Sequence, residues 1–326
     1  MSIPGIGEIT SDTSFLTKVV DEYVVGSSWT QEYSKNDVKI WSKCSDNNGI
    51  KAFKASALFK GVSGPALFDC LMDSQYRKQW DKAMIEGYEL CQVNSQSDIG
   101  YYSLRSPPGL RNRDFVLQRT WAKFENEYVI ASHSVFHKGL PVRKQFIRAL
   151  SHINAYIIRI LSPDSCEMTY VTHCDPRGKI PIWVINKATQ FMAPKAIQLL
   201  YKACSKYDAW KQSNNPDQKP WLYSNQSILP NLCWDDVEQT ANLGPVDDDA
   251  SATGGGDASG QLTPLDDERS VFERNDSFND SEEFQPMPVM VVDDDNHQMQ
   301  SCVVPQSQTT ATTTAATALT TVSDSG

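Results

Sequence analysis

Phe115, Leu117, Arg119 and Trp121 alternate with Val116, Gln118 and Thr120. If this stretch is a strand, period-two geometry puts the first four on one face. That face reads as the inner one, and an arginine among apolar side chains is costly to bury without a partner. Two kinds of partner answer the cost. One is a carboxylate, with Arg119 or Arg113 paired to a nearby acid such as Asp114. The other is a bound anion, because the planar fork of a guanidinium matches phosphate or carboxylate. Tyr101, Tyr102, Trp121 and Tyr170 offer aromatic faces that suit a cationic group. They serve equally well as ordinary sheet core.

Other chemistry-bearing residues lead to weaker readings. His133 and His137 are four apart, a metal-binding spacing on a helix, but they lie in strand-like sequence. Four residues along a strand span about 13 Å, too far to share one ion. They read as surface or sheet-edge histidines, and no metal site is expected. His173 and Cys174 are neighbours in a strand and point to opposite faces. Gly5-Ile6-Gly7 is too short for a dinucleotide fingerprint, and Gly178-Lys179 lacks the rest of a phosphate-binding loop. Gly61-Val62-Ser63-Gly64 is not a nucleophile elbow. No catalytic residue, no cofactor and no enzymatic activity is expected.

The elements that must position these residues are legible in outline. Residues 12–25 read as a helix, with Phe15, Leu16, Val19, Val20 and Tyr23 at helical spacing. Val38, Ile40 and Ser42 then alternate as a strand, and 50–59 continue in the same style after Asp46-Asn47-Asn48-Gly49. Residues 64–79 read as one helix, capped by Ser63, with Pro65 in its first turn. Strand runs follow at 85–93, 99–105, 114–122, 127–136, 146–161 (with room for two) and 166–174. Short turns link them, which predicts a largely antiparallel sheet. Residues 181–211 form a last long helix, with Val184, Ala188, Phe191, Ile197, Leu200, Tyr201 and Cys204 as its apolar stripe. Pro194 is expected to kink or loosen it. The fold class is α+β, a sheet covered by a helix.

Several segments together resemble the START (steroidogenic-acute-regulatory-protein-related lipid transfer) domains, of the phosphatidylcholine-transfer-protein-like group. Asn112-Arg113-Asp114-Phe115-Val116 with Arg119 is similar to the central signature of that family. Trp80-Asp81 closes the early helix in the same way. Asp175-Pro176-Arg177-Gly178-Lys179-Ile180-Pro181 resembles the family's link into its last helix, and Lys195-Ala196-Ile197 to Trp210-Lys211 resembles the helix end. The likeness runs from 12 to 212. It implies a helix-grip fold: a curved antiparallel sheet around a lipid cavity closed by the long C-terminal helix. It also implies one bound phospholipid as cargo. In one respect the sequence departs from the pattern. Some members carry a glutamate one strand before the signature, and here that place is Ser103. Arg119 is therefore expected to lack an acid there, and to use Asp114 or a lipid phosphate.

Charge is unevenly placed. Residues 1–212 hold 27 Lys+Arg against 20 Asp+Glu, and residues 213–326 hold 3 against 20. The first part is mildly basic and the second strongly acidic. Residues 213–235 contain Trp221, Leu222, Tyr223, Ile228, Leu229, Leu232 and Trp234, an apolar extension expected to pack on the domain. Residues 236–326 are acidic and Thr-rich and read as disordered. There, Ser270, Ser277 and Ser281 stand in acidic context suited to an acidophilic kinase. No run reaches the ~20 apolar residues of a membrane span, and no secretory signal is seen. Seven of the eight cysteines read as packed, reduced thiols.

These readings converge on a cytoplasmic phospholipid carrier that meets membranes transiently. Arg113, Asp114 and Arg119, with the four aromatic residues above, are the expected lipid-binding set. Leu140 and Val142, flanked by Arg143 and Lys144, form an expected membrane-docking tip. Lys195, Lys202 and Lys206 add cations from the last helix, each contributing about 1 kcal/mol at an anionic surface. A lipid-gated scaffold and an acyl-CoA thioesterase are the alternatives. Nucleic acid is not an expected partner.

Overall fold

The structure is a computed structural model that describes residues 2–26, 28–35, 37–44, 49–106, 110–240 and 243, without the side chains of 183 and 187–192. All of these belong to one compact unit. Helix α1 (Phe15–Val20) relaxes into a wider turn over Asp21–Val25. Strands β1 (Thr30–Lys35), β2 (Val38–Lys43) and β3 (Ala52–Lys60) follow. Two short helices come next, α2 (Gly64–Met72) and α3 (Ser74–Trp80). Then come β4 (Met84–Asn94), β5 (Ser97–Leu104), β6 (Asn112–Lys123), β7 (Glu127–Ser134) and β8 (Phe136–His137). The sheet ends with β9 (Phe146–Arg148), β10 (Leu150–Ser162) and β11 (Ser165–Asp175), and helix α4 (Ile182–Gln212) closes the domain.

Among the described residues the main sheet runs β1-β2-β3-β11-β10-β7-β6-β5-β4, with β9 added to β6. Every pairing in it is antiparallel except β6 with β9. The two terminal hairpin groups meet where β3 pairs β11, so strands distant in sequence close a curved sheet.

Its two faces bury different partners. On the convex face, Phe15, Leu16 and Val19 of α1 pack on Ala131, Ile153, Ala155, Ile157 and Val171. The concave face is covered by α2, α3 and the C-terminal half of α4. There Ile197, Leu200 and Tyr207 are almost fully buried, each worth about 1.5–3 kcal/mol of apolar burial. Helix α4 runs unbroken through Pro194. Ala188 and Phe191, expected on its apolar stripe, lie outside the described side chains.

One expected helix is two. Ser63 caps α2 as read, its Oγ accepting from Ala66 N at 3.2 Å. Asp73 then leaves helical geometry (φ −75°, ψ 96°) and restarts the chain. Its Oδ1 accepts from the amides of Gln75 and Tyr76, both at 3.1 Å. Its Oδ2 accepts from Lys211 Nζ at 2.9 Å and from the Tyr207 hydroxyl at 3.1 Å. A single buried carboxylate thus caps α3 and ties down the end of α4.

Residues 213–240 form a strap over the domain. Lys219 Nζ and Trp221 Nε1 each donate to the buried Asp69 at 2.7 Å. Further on, Gln92 N donates to Pro230 O and Leu232 N to Gln92 O, covering the β4 edge. The strap reaches past residue 235: Val237–Glu238 (β12) pairs with β8. Leu243 O accepts from Arg177 Nη1 at 3.2 Å.

Candidate functional site

Register builds the concave wall in rows. Trp121, Ile130, Tyr156, Tyr170, Ala55 and Ile40 are cross-strand neighbours in succession. The adjacent row reads Asp98, Arg119, Ser132, Asn154, Thr172 and Phe53. A largely apolar, aromatic row therefore lies beside a polar one. Tyr156 and Tyr170 are 4.9 Å apart between ring centroids, and Asn154 Nδ2 donates to the Tyr170 hydroxyl at 3.0 Å. The side chains of Arg77, Arg119 and Glu89 keep 23%, 22% and 25% of their area accessible. Partial accessibility beneath a helical cover marks a hollow between sheet and helices.

Arg119 faces this hollow, as its alternation predicts, but its partners differ from those expected. Nε and Nη2 donate to Asp98 at 3.2 and 2.5 Å, and Nη2 also to Glu89 at 3.1 Å. Burial works against its charge, and the two carboxylates more than offset this, so its pKa lies above the ordinary arginine value. Asp114 is not its partner. Asp114 holds Arg148 in a fork at 2.9 and 3.0 Å, with both side chains almost wholly buried. Arg148 also donates to the carbonyls of Leu140 and Pro141, both at 3.2 Å.

Arg113 is 3% exposed and sits at the sheet end. It donates to the carbonyls of Pro176 at 3.1 Å, Arg111 at 2.5 Å and Arg177 at 3.0 Å. Those carbonyls take up its fork, so Arg113 fastens the linker into α4 instead of presenting an anion site. Tyr101 is also displaced from the expected set. Adjacent strand residues face opposite ways, and Tyr101 lies on the convex side, stacked on Tyr88 at 5.4 Å with Arg143 4.3 Å over its ring. Tyr102 faces the hollow and donates to Asp81 Oδ2 at 2.9 Å. Trp121 lies on the concave wall, with Arg119 5.6 Å from its ring and its Nε1 donating to Trp221 O at 3.0 Å.

A second arginine, not singled out by sequence, enters the hollow from α3. Arg77 Nη2 donates to Leu71 O at 3.1 Å, and its Nη1 lies 3.6 Å from Asp81, one helical turn on. The guanidinium is 5.2 Å from the Trp80 ring. Burial opposes its charge, Tyr156, Asp81 and Tyr102 favour it, and Arg119 repels it. The buried Trp80 Nε1 has no hydrogen-bond partner. Asp98, Glu89 and Tyr156 were likewise unmarked. The one legible signal was Arg77 and Asp81, four apart on a helix end.

The expected docking tip is altered too. Leu140 is 5% exposed and packs in the convex core. Val142 is exposed, and Arg143 pairs with Glu86 at 2.6 Å. Lys144 is exposed, and its carbonyl accepts from Arg111. On α4, Lys195, Lys202 and Lys206 are exposed, with Leu199 between them on the same face. His133 and His137 are buried, not at the surface: His133 Nε2 bonds Glu8 O at 2.7 Å and His137 Nδ1 accepts from Gly139 N at 3.0 Å. Cys44 and Cys233 are exposed, whereas Cys70, Cys91, Cys166 and Cys204 are packed. Ser270, Ser277 and Ser281 lie outside the described residues.

A curved antiparallel sheet gripping a long C-terminal helix around a mixed polar and aromatic hollow defines the START class, and the chain belongs to that family. The START domain model matches residues 17–224. START domain-containing protein 10 of Mus musculus is 39% identical over 225 residues, covering 68% of this chain and 77% of that protein. Phosphatidylcholine transfer protein of Homo sapiens is 26% identical over 188 residues, covering 56% and 87%. The crystal structure of human STARD10 superposes with a TM-score of 0.69 at 36% identity, covering 72% of this chain and 96% of that one.

Proposed function

We propose that this chain is a carrier, not an enzyme, that binds one zwitterionic phospholipid and moves it between membranes through the cytoplasm. The phosphate goes to Arg77. The observation that carries this is the unequal pairing of two arginines in one hollow: Arg119 has two carboxylates, whereas Arg77 has one, at 3.6 Å. A phosphate at Arg77 replaces a weak contact, while at Arg119 it would have to displace a forked one. The cationic end of the head group is served by Asp81 and by the rings of Trp80, Tyr102 and Tyr156. Similarity to a phosphatidylcholine transfer protein supports the lipid class.

The apolar row beneath α4 takes the acyl chains. A two-chain lipid buries on the order of 30 methylenes, at ~0.8 kcal/mol each, so escape through water is very slow. A covered hollow removes that penalty, and α4 must move for exchange. No described helix is long and apolar enough to cross a membrane; contact with the bilayer falls to the Lys195–Leu199–Lys202–Lys206 face of α4 and to Val142 with Lys144.

The test is Arg77→Leu. Phospholipid that co-purifies with the protein, measured by mass spectrometry, should drop at least about tenfold, as should transfer of pyrene-labelled phosphatidylcholine between vesicles, a loss of roughly 1.4 kcal/mol. Circular dichroism and thermal midpoint should be near those of the parent. Wild-type cargo and transfer in this variant would remove Arg77 from the site.

A further inference from the structure

The helical cover of the concave face has a gap. Helix α4 lies on β2 and β3, α2 on β11, β10 and β7, and α3 on β4. Among the described residues no helix packs comparably on β5 or β6, the two strands between β7 and β4. Arg119 and Trp121 of β6 line the hollow there, the guanidinium 5.6 Å from the indole ring. Trp121 is nevertheless only 5% exposed. Part of its cover comes from beyond α4.

Trp221 of the strap sits against Trp121. Its carbonyl accepts from Trp121 Nε1 at 3.0 Å, and its own Nε1 donates to Asp69 Oδ1 of α2 at 2.7 Å. Lys211 Nζ of α4 lies 5.4 Å from its ring. One residue therefore meets β6, α2 and α4, and its side chain packs against the concave core. Lys219 Nζ holds the other oxygen of Asp69 at 2.7 Å. Gln226 braces the turn: its Oε1 accepts from Lys219 N at 2.6 Å, and its Nε2 donates to Asp217 O at 3.0 Å. Leu222 and Tyr223, next in the chain, are exposed. Of these three neighbours, Trp221 is the one that packs on the concave core.

We propose that Trp221 is the side wall of the lipid hollow over β6, and that its seat on Trp121 and Asp69 sets how long cargo stays bound. Helices close the rest of the concave face; here an indole from the strap does so. Without that ring, water reaches Trp121 and any apolar chain lying against it, and each wetted methylene weakens the bound state. Asp69 keeps the wall in place, because a buried carboxylate that loses its donors keeps its desolvation cost. The geometry is independent of cargo; its consequence for phospholipid rests on the carrier reading above.

The test is the release rate of two probes from the full chain. One is N-phenyl-1-naphthylamine, an uncharged fluorophore that brightens in apolar surroundings; the other is pyrene-labelled phosphatidylcholine passing to excess acceptor vesicles. Trp221→Ala should release both about tenfold faster, the effect of wetting roughly two methylenes. Trp221→Phe keeps a ring but not the N–H to Asp69, and should fall between that variant and wild type. Val19→Ala, in the convex core, lowers the urea midpoint without touching the hollow, and should release at the wild-type rate. Wild-type release from Trp221→Ala overturns the wall. So does equal acceleration in Val19→Ala, which would make the effect one of stability alone. Faster release of the fluorophore from Trp221→Ala, in a protein that carries no phospholipid in any form, upholds the wall and sinks the carrier. A protein that takes up neither probe overturns both.

Discussion

Three arginines of similar sequence setting do three different jobs. Arg119 joins the walls of the hollow, Arg113 collects linker carbonyls, and Arg148 answers Asp114. Buried ion pairs are costly to break from one side, because the remaining charge keeps its desolvation cost and loses its partner. Asp114→Asn or Arg148→Met should each lower stability by about 3–5 kcal/mol in urea unfolding. The double change Asp114→Leu/Arg148→Met should be milder than either single one; if it is worse, the pair is stabilising in its own right. Arg119→Leu belongs to the same class. It leaves Asp98 and Glu89 facing one another, so its expected effect is a lowered unfolding midpoint that accompanies any loss of lipid. That separates it from Arg77→Leu, where cargo should be lost with the fold intact.

At the scale of elements, α4 is held unequally along its length. Its C-terminal half is anchored by Ile197, Leu200 and Tyr207, by Tyr76 donating to Ala203 O at 2.7 Å, and by Lys211 on Asp73. Among the described residues, its first turns are tied by Asn186 to the backbone of Gly49 and Lys51. Asp73→Ala removes a helix cap worth about 1 kcal/mol and leaves Lys211 buried without its carboxylate. The expected total is about 3–5 kcal/mol. Amide exchange across 203–212 should rise with it, and shed lipid faster. Normal protection there would show that packing alone secures this half.

At the scale of the molecule, charge is divided between a basic domain and an acidic C-terminal segment. The segment 213–326 carries 20 acidic against 3 basic residues, and we propose that it competes with an anionic membrane for the same cations. Because Leu243 O still contacts Arg177, the cut that tests this falls after 243. Deleting 244–326 should speed transfer to anionic vesicles several-fold, most at low salt, where screening is weakest. Phosphorylation by an acidophilic kinase should slow the full chain only, each phosphate adding about −1.5 to −2 charge. Identical rates for all forms at low salt would leave the segment without a role in docking.

Much of this was legible in the sequence. The Ser63 cap, the strand runs from 85 to 174 and the last helix follow from local spacing and turn chemistry, which neighbouring residues decide among themselves. Alternation placed Arg119 inward, and it separated Tyr101 from Tyr102 without saying which of the two faces the hollow. That depends on which side of the sheet the helices cover. The same limit explains Leu140, read as an exposed tip and found in the convex core. The partners of the charged groups lay further out of reach. Asp98 meets Arg119 only through the β5–β6 register, Arg148 reaches Asp114 through the parallel β9 pairing, and Lys211 meets Asp73 across 138 residues. Local preferences are settled between neighbours in the chain. A buried charge must instead take whichever partner the returning chain brings, because burial removes the water that would otherwise serve, and that choice belongs to the tertiary structure.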